Sequence, residues 1–173
     1  MGSGLAGEIS FSVKIFLTMN KSILRLDFLK KYKDAGLLFM RVGVGFDYLV
    51  FHGWSKLMGG PDNWIAHGVV MPGFGIEAIY LFWGLMAALA ETLGAVLFAV
   101  GLAFRPMAAL IGITMVVAVY VHLDQGDPWS HASHAQKMVF VFFGLMMAGP
   151  GKYSLDYVLR KNNQKPFNNH AII

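Results

Sequence analysis

The sequence predicts an all-α, polytopic membrane protein: a four-transmembrane-helix bundle preceded by an amphipathic N-terminal segment. Three observations carry that expectation. Hydrophobic residues make up 56% of the 173 residues and charged residues only 14%, against a charged share of roughly 25% in soluble domains. Four apolar runs approach the ~20 residues that cross hydrocarbon at about 1.5 Å of rise each. Lys and Arg gather towards the ends of the chain and are missing from two of the three connections between the runs. A mean hydropathy of +0.55 agrees, and a water-soluble bundle would need more polar surface than this composition supplies.

Taken in order, "NKSILRLDFLKKYK" (20–33) places Leu24, Phe28 and Tyr32 on one helical side and Lys30 and Lys31 opposite. That pattern suits a helix lying on the membrane surface. The preceding "ISFSVKI" alternates like a strand and has no assigned role. It follows Glu8 without a basic leader or small-residue cleavage site, so no signal peptide is expected, and Met19 offers an alternative start. The first span is expected at Ala35–Leu57 and the second at Glu77–Phe104. The third, "PMAALIGITMVVAVYVHL", opens on Pro106, which suits a first helical turn. The fourth, about Ser133–Ala148, is shorter and stops at "GPG". The expected organisation is a basic interfacial segment (1–34), a membrane domain (35–157) and a polar tail (158–173).

The charge pattern orients the spans. Lys14, Lys21, Arg25, Lys30, Lys31 and Lys33 precede the first, Lys152, Arg160, Lys161 and Lys165 follow the fourth, and Arg105 lies in the central link. Neither "MGGPDNWIAHGVVMPGFGI" nor "DQGDPWSHAS" contains Lys or Arg. The positive-inside rule then makes both termini cytoplasmic. Trp54, Trp64 and Trp129 fall at the outer interface, and Tyr32, Tyr153 and Tyr157 at the inner one. The net charge of +4 therefore points to a lipid bilayer rather than to nucleic acid. The absence of cysteine excludes disulfides, thiolate metal sites, CxxC exchange and covalently attached c-type haem.

Ionisable residues inside the spans are the functional candidates, because a charge facing lipid costs roughly 2.5–3.5 kcal/mol even on the lenient insertion scale. At about 100° per residue, Arg41, Gly45, Tyr48, His52 and Ser55 lie within roughly 40° of one line, with Lys56 slightly off it. Asp47 points about a third of a turn away. On the second span Glu91 shares a face with Gly84, Ala87, Ala88, Gly94 and Ala95, small residues that admit a neighbouring helix. An Arg41–Glu91 contact is expected, either to fix helix register or to serve a proton relay or ligand anchor. The intramembrane polar cluster is thus Arg41, Tyr48, His52, Lys56, Glu91 and His122. His52, His67, His122, His131 and His134 map to the outer side, with Asp62, Asp124 and Asp127 nearby. His131, His134 and Asp124 have spacing compatible with a metal site, and His52 with His122 could ligate haem b. Polar residues at the interface explain the same cluster.

The order of these features resembles the DoxX family. "RVGVGFDYLVFHGWSKLMGG" is similar to its first-helix pattern and "FWGLMAALAETLGAVLFAVGLAFRP" to its second. "GDPWSHASHA" and "GPGKYSLD" are similar to its third loop and tail. The resemblance covers about residues 35–157 and carries Arg41, Gly45, His52, Gly53, Lys56, Glu91, Gly94, Arg105 and Gly149–Asp156. It implies a four-helix bacterial inner-membrane protein, related to the membrane subunit of thiosulfate:quinone oxidoreductase and to proteins of redox and sulfur-stress complexes. Thiol-relay chemistry, known in distant four-helix relatives, is closed to a chain without cysteine. The favoured function is the membrane subunit of a quinone- or sulfur-linked redox complex, with other membrane or redox subunits as partners and a quinone ahead of haem b or a metal as ligand. The alternative is a non-enzymatic anchor or assembly subunit. A transporter ranks third, because the sequence shows no inverted repeat or broken-helix pair.

Overall fold

The computed structural model describes residues 26–76 and 79–163. The chain divides into two units, Met1–Lys33 and Asp34–Ile173. In the first, a 3-10 turn over Asp27–Tyr32 exposes Phe28, Leu29 and Tyr32 and pairs Lys30 with Asp27 at 2.7 Å. The strand-like stretch 9–15 and the amphipathic segment through Arg25, with Leu24, lie outside the described residues. So do Glu77, at the expected start of the second span, and Lys165 in the tail.

Every regular element among the described residues is helical. Helix α1 (Lys33–Asp47) continues through a π-helical turn (Tyr48–Gly53) into α2 (Trp54–Met58). Helix α3 (Gly60–Gly68) and a 3-10 turn (Met71–Phe74) follow. The second span is α4 (Tyr80–Glu91) and α5 (Leu93–Val100), the third is α6 (Phe104–Asp124), and α7 (Trp129–Ala148) and α8 (Leu155–Asn163) complete the chain. Three stretches, Asp27–Met58, Tyr80–Val100 and Phe104–Asp124, are long and apolar enough to cross a membrane. Helix α7 has 20 residues but carries His131, His134 and Lys137 in its first half, which dilutes its apolar character. It also begins four residues before the expected Ser133, directly after Pro128, so both histidines are helical.

The core lies where α1, α5, α6 and α7 meet. Tyr48, Phe98, Phe104, Ile111 and Phe142 are fully buried there. The ring of Phe98 stacks on Phe104 at 4.8 Å and meets Phe142 edge-on at 5.3 Å. The outside of the bundle is apolar as well: Phe39, Phe51 and Phe140 are 78%, 67% and 69% exposed. A protein solvated by water does not array large apolar side chains in this way, whereas lipid solvates them.

The π turn corrects the helical-wheel expectation. The Trp54 N–H donates to Leu49 O, five residues back rather than four. This inserts one extra residue, so the inward-facing line runs Arg41, Gly45, Tyr48, Gly53 and Lys56 instead of through His52 and Ser55. Ser55 is exposed and Lys56 comes inward. Asp47 and His52 would diverge by about 140° on a regular α-helix, but here Asp47 Oδ2 lies 3.9 Å from His52 Nε2. The π turn is thus what gives Asp47 a partner.

The first connection between spans, read from sequence as a loop, contains α3, which packs along α4. Pro61 pre-sets the first turn of α3, and Gly84 allows the contact: a Cβ there would stand 2.8 Å from Trp64 Cα. Trp64 Nε1 also donates to Lys56 O at 2.9 Å. Gly84→Val is accordingly expected to destabilise the protein by ~1–3 kcal/mol, the usual scale of overpacking. Thermal unfolding in detergent would show it as a lowered midpoint, and an unchanged midpoint would refute the close contact.

The tail secures the opposite end of the bundle. Asp156 accepts the backbone N–H groups of Ala103 and Phe104 at 2.8 and 2.9 Å, capping α6 where Ala103 has a φ of 48°. The Asp156 N–H in turn donates to Gly101 O at 2.9 Å. "GPG" turns the chain with Gly149 and Gly151 at φ of 81° and 75°, values that favour glycine.

Candidate functional site

The structure distributes the six residues of the expected polar cluster over three places. Arg41, 1% exposed, does not meet Glu91. Its guanidinium donates to Pro150 O at 2.7 Å and to Tyr153 O, which ties α1 to the tail. The expected Arg41–Glu91 contact is therefore wrong. Arg41 lies two helical turns towards the chain's N-terminal side of Tyr48, where tail carbonyls are the acceptors within reach.

The second place is an aromatic group around Tyr48. Its hydroxyl donates to Met115 Sδ at 2.9 Å, and its ring meets Phe142 edge-on at 4.9 Å. His52 lies 4.9 Å from Tyr48 on one side and stacks on His134 at 5.8 Å on the other. His52 thus occupies the layer between α1 and α7.

The third place holds the buried ion pair. Lys56 Nζ lies 2.5 Å from Glu91 Oε2, with the lysine side chain 24% exposed and the carboxylate 1%. Local irregularity on both helices makes this meeting possible. The π turn rotates Lys56 inward, and α4 ends at Glu91 because Thr92 departs from helical geometry at φ −105° and ψ −78°. Thr92 Oγ1 donates back to Ala88 O at 2.7 Å, a contact that bends helices. Gly53 seats the two irregularities against each other, since a Cβ there would meet Thr92 Cγ2 at 2.6 Å. The sequence signalled neither irregularity, although Gly53 and Thr92 were visible in it.

Beside the pair, a cavity of about 390 Å³ opens between α3, α4 and α6. Trp83, Met86, Ala87, Ile113 and Val117 form apolar walls, and Lys56, Glu91, His67, His122, Thr114 and Gln125 supply polar atoms. An apolar slot with a few convergent polar groups, within the ~300–1,000 Å³ range of small-molecule sites, is what a ligand site requires. Glu91 and Lys56 form its deep polar element, and His122, 39% exposed, lies nearer the surface. Tyr48, His52 and Arg41 do not line it. The cavity adds His67, Thr114 and Gln125, whose part depends on the packing of α3 against α4 and α6.

His122 Nδ1 is 2.8 Å from Asp127 Oδ2, and His131 Nδ1 is 3.8 Å from Asp127 Oδ1. The hydrogen bond with His122 is the main reason the Asp127 carboxyl titrates below its usual range. Asp127 therefore gathers His122 and His131, while His134 turns to His52 and Asp124 to the hydroxyl of Tyr120 at 3.4 Å. Among the described residues, no group of three His, Asp or Glu side chains is placed to hold a metal ion. His131, His134 and Asp124 are not brought together as a ligand set.

A family model described as DoxX matches residues 36–123, a stretch that includes the π turn, α3 and both members of the ion pair. No curated protein and no solved structure matches the chain.

Proposed function

The chain belongs to the DoxX family, and on that premise we propose that this integral membrane protein is the membrane subunit of a redox complex, binding a quinone in the cavity beside Lys56 and Glu91. The observation that carries the reading is an apolar slot in the membrane domain with an ion pair at its depth. A quinone requires an apolar groove for its ring and tail and a hydrogen-bond donor at its carbonyls, and the residues present fit both needs. Bound there, it would supply a two-electron, two-proton carrier.

The chain's own residues provide the surroundings. Trp83, Met86 and Val117 exclude water. Glu91 accepts one Lys56 N–H and holds the ammonium at the cavity wall, where its remaining N–H groups serve a carbonyl. His122, oriented by Asp127, can relay a proton between the mouth and the outer aqueous side. Electrons come from partner subunits; the family resemblance supports placement in a bacterial inner membrane, and the Lys and Arg distribution supports cytoplasmic termini.

Purification in mild detergent followed by extraction tests the reading. The native chain is expected to retain near-stoichiometric quinone, and Glu91→Gln, which removes the charge that anchors Lys56, should reduce retention about tenfold or more. Equal retention by both proteins would reject the site. Loss of quinone from both, with a stoichiometric protein partner still captured, would favour the anchor function instead.

A further inference from the structure

We propose that the end of the bundle opposite the Lys56 cavity binds the phosphate headgroup of an anionic phospholipid, held by Arg105 and Arg160. A second cavity, about 270 Å³, lies there between the starts of α1 and α6, the end of α7 and α8. Its charged lining is Asp34, Arg105, Lys152, Asp156 and Arg160.

Both carboxylates are already committed. Asp34 accepts the Lys152 backbone N–H at 3.0 Å and lies 3.8 Å from Lys152 Nζ. Both oxygens of Asp156 accept backbone N–H groups of the α6 cap. Among the described residues, no carboxylate lies within 4.0 Å of Arg105 or Arg160. Among the described residues, the cavity therefore presents two guanidinium groups with no carboxylate at ion-pair distance, and planar guanidinium forks match phosphate oxygens bidentately.

The surroundings select a lipid over other phosphates. The cavity sits where spans begin and end, which places it at headgroup depth in one leaflet. Helix α8 has no buried residue, and Leu155, Val158 and Leu159, spaced i, i+3 and i+4, are 45%, 48% and 52% exposed. That apolar side suits the acyl boundary, while Arg160, on the same helix, lines the cavity. A ligand that satisfies both surfaces carries a phosphate and hydrocarbon chains on one molecule. Basic pockets between membrane helices are established headgroup sites in general.

The test uses the full chain, delipidated in detergent and titrated with phosphatidylglycerol, phosphatidylcholine or inorganic phosphate. Native mass spectrometry and the thermal midpoint are the readouts. Phosphatidylglycerol should remain bound and raise the midpoint, and the other two should do neither. Arg105→Gln with Arg160→Gln should weaken phosphatidylglycerol binding about tenfold or more, with partial recovery when both are Lys. Both residues are exposed, and far-UV circular dichroism with the elution volume in detergent reports that the double variant is folded. Equal binding of phosphatidylglycerol and phosphatidylcholine, or undiminished binding by the double Gln variant, would overturn the proposal. Equal protection by inorganic phosphate would also overturn it, by showing a free-anion site.

Discussion

Lys56→Met is expected to destabilise the bundle by ~3–5 kcal/mol, because it leaves the Glu91 carboxylate buried without its cation. Glu91→Gln should cost less. The amide still accepts a hydrogen bond from Lys56, and the lysine, 24% exposed, can extend towards water. Lys56→Met combined with Glu91→Leu should recover much of the loss, since a matched apolar pair strands no charge. Unfolding midpoints of the native protein, Lys56→Met, Glu91→Leu and the double variant close a double-mutant cycle. Additive single effects would mean that the two groups do not interact, and would remove the electrostatic element on which the cavity's chemistry depends.

Arg41→Met should also have a large effect, ~2–4 kcal/mol, by leaving the part-buried Pro150 and Tyr153 carbonyls without their donor. Arg41→Lys should recover only part of that, since a single ammonium cannot reproduce the two-pronged contact of a guanidinium. The consequence should be local as well as global. With Arg41 gone, the tail loses one of its ties to α1 and keeps the Asp34 contacts with Lys152, so trypsin should cut after Lys152 faster than in the native chain. Unchanged cleavage at Lys152 with an unchanged midpoint would show that Arg41 is not the tether.

The contrast between these two residues shows what was legible in the sequence. Composition and the Lys and Arg pattern were enough for an all-α membrane fold, because the energetic preference for apolar residues in lipid is large and summed over many positions. Glu91 was readable as buried from the small residues that share its face. Its partner was not. Assigning Arg41 rather than Lys56 assumed an unbroken helix, and one extra residue in the π turn rotates everything beyond Tyr48. Hydrophobic periodicity carries no signal for a single inserted residue inside a uniformly apolar run.

Helix α3 was missed for a related reason. The stretch was read only as a link free of Lys and Arg, but Gly84 on the partner helix accommodates the Trp64 backbone, a tertiary contact that local propensity does not encode. The cavity depends on that packing, so it too was absent from the sequence, although four of its polar residues, Lys56, His67, Glu91 and His122, were named from it. The tail shows the opposite case. "GPGKYSLD" was recognisable as a unit, and its roles, receiving Arg41 and capping α6 through Asp156, became evident once the turns were placed.

The most direct measurement of the central claim is photolabelling of the purified chain in lipid with an azido-quinone, followed by peptide mapping. A quinone seated beside Lys56 and Glu91 predicts labels on the cavity wall, at Met86, Trp83 or Val117, and their suppression by excess native quinone. Labels spread over lipid-facing residues such as Phe39 and Phe140, and unaffected by competitor, would contradict it.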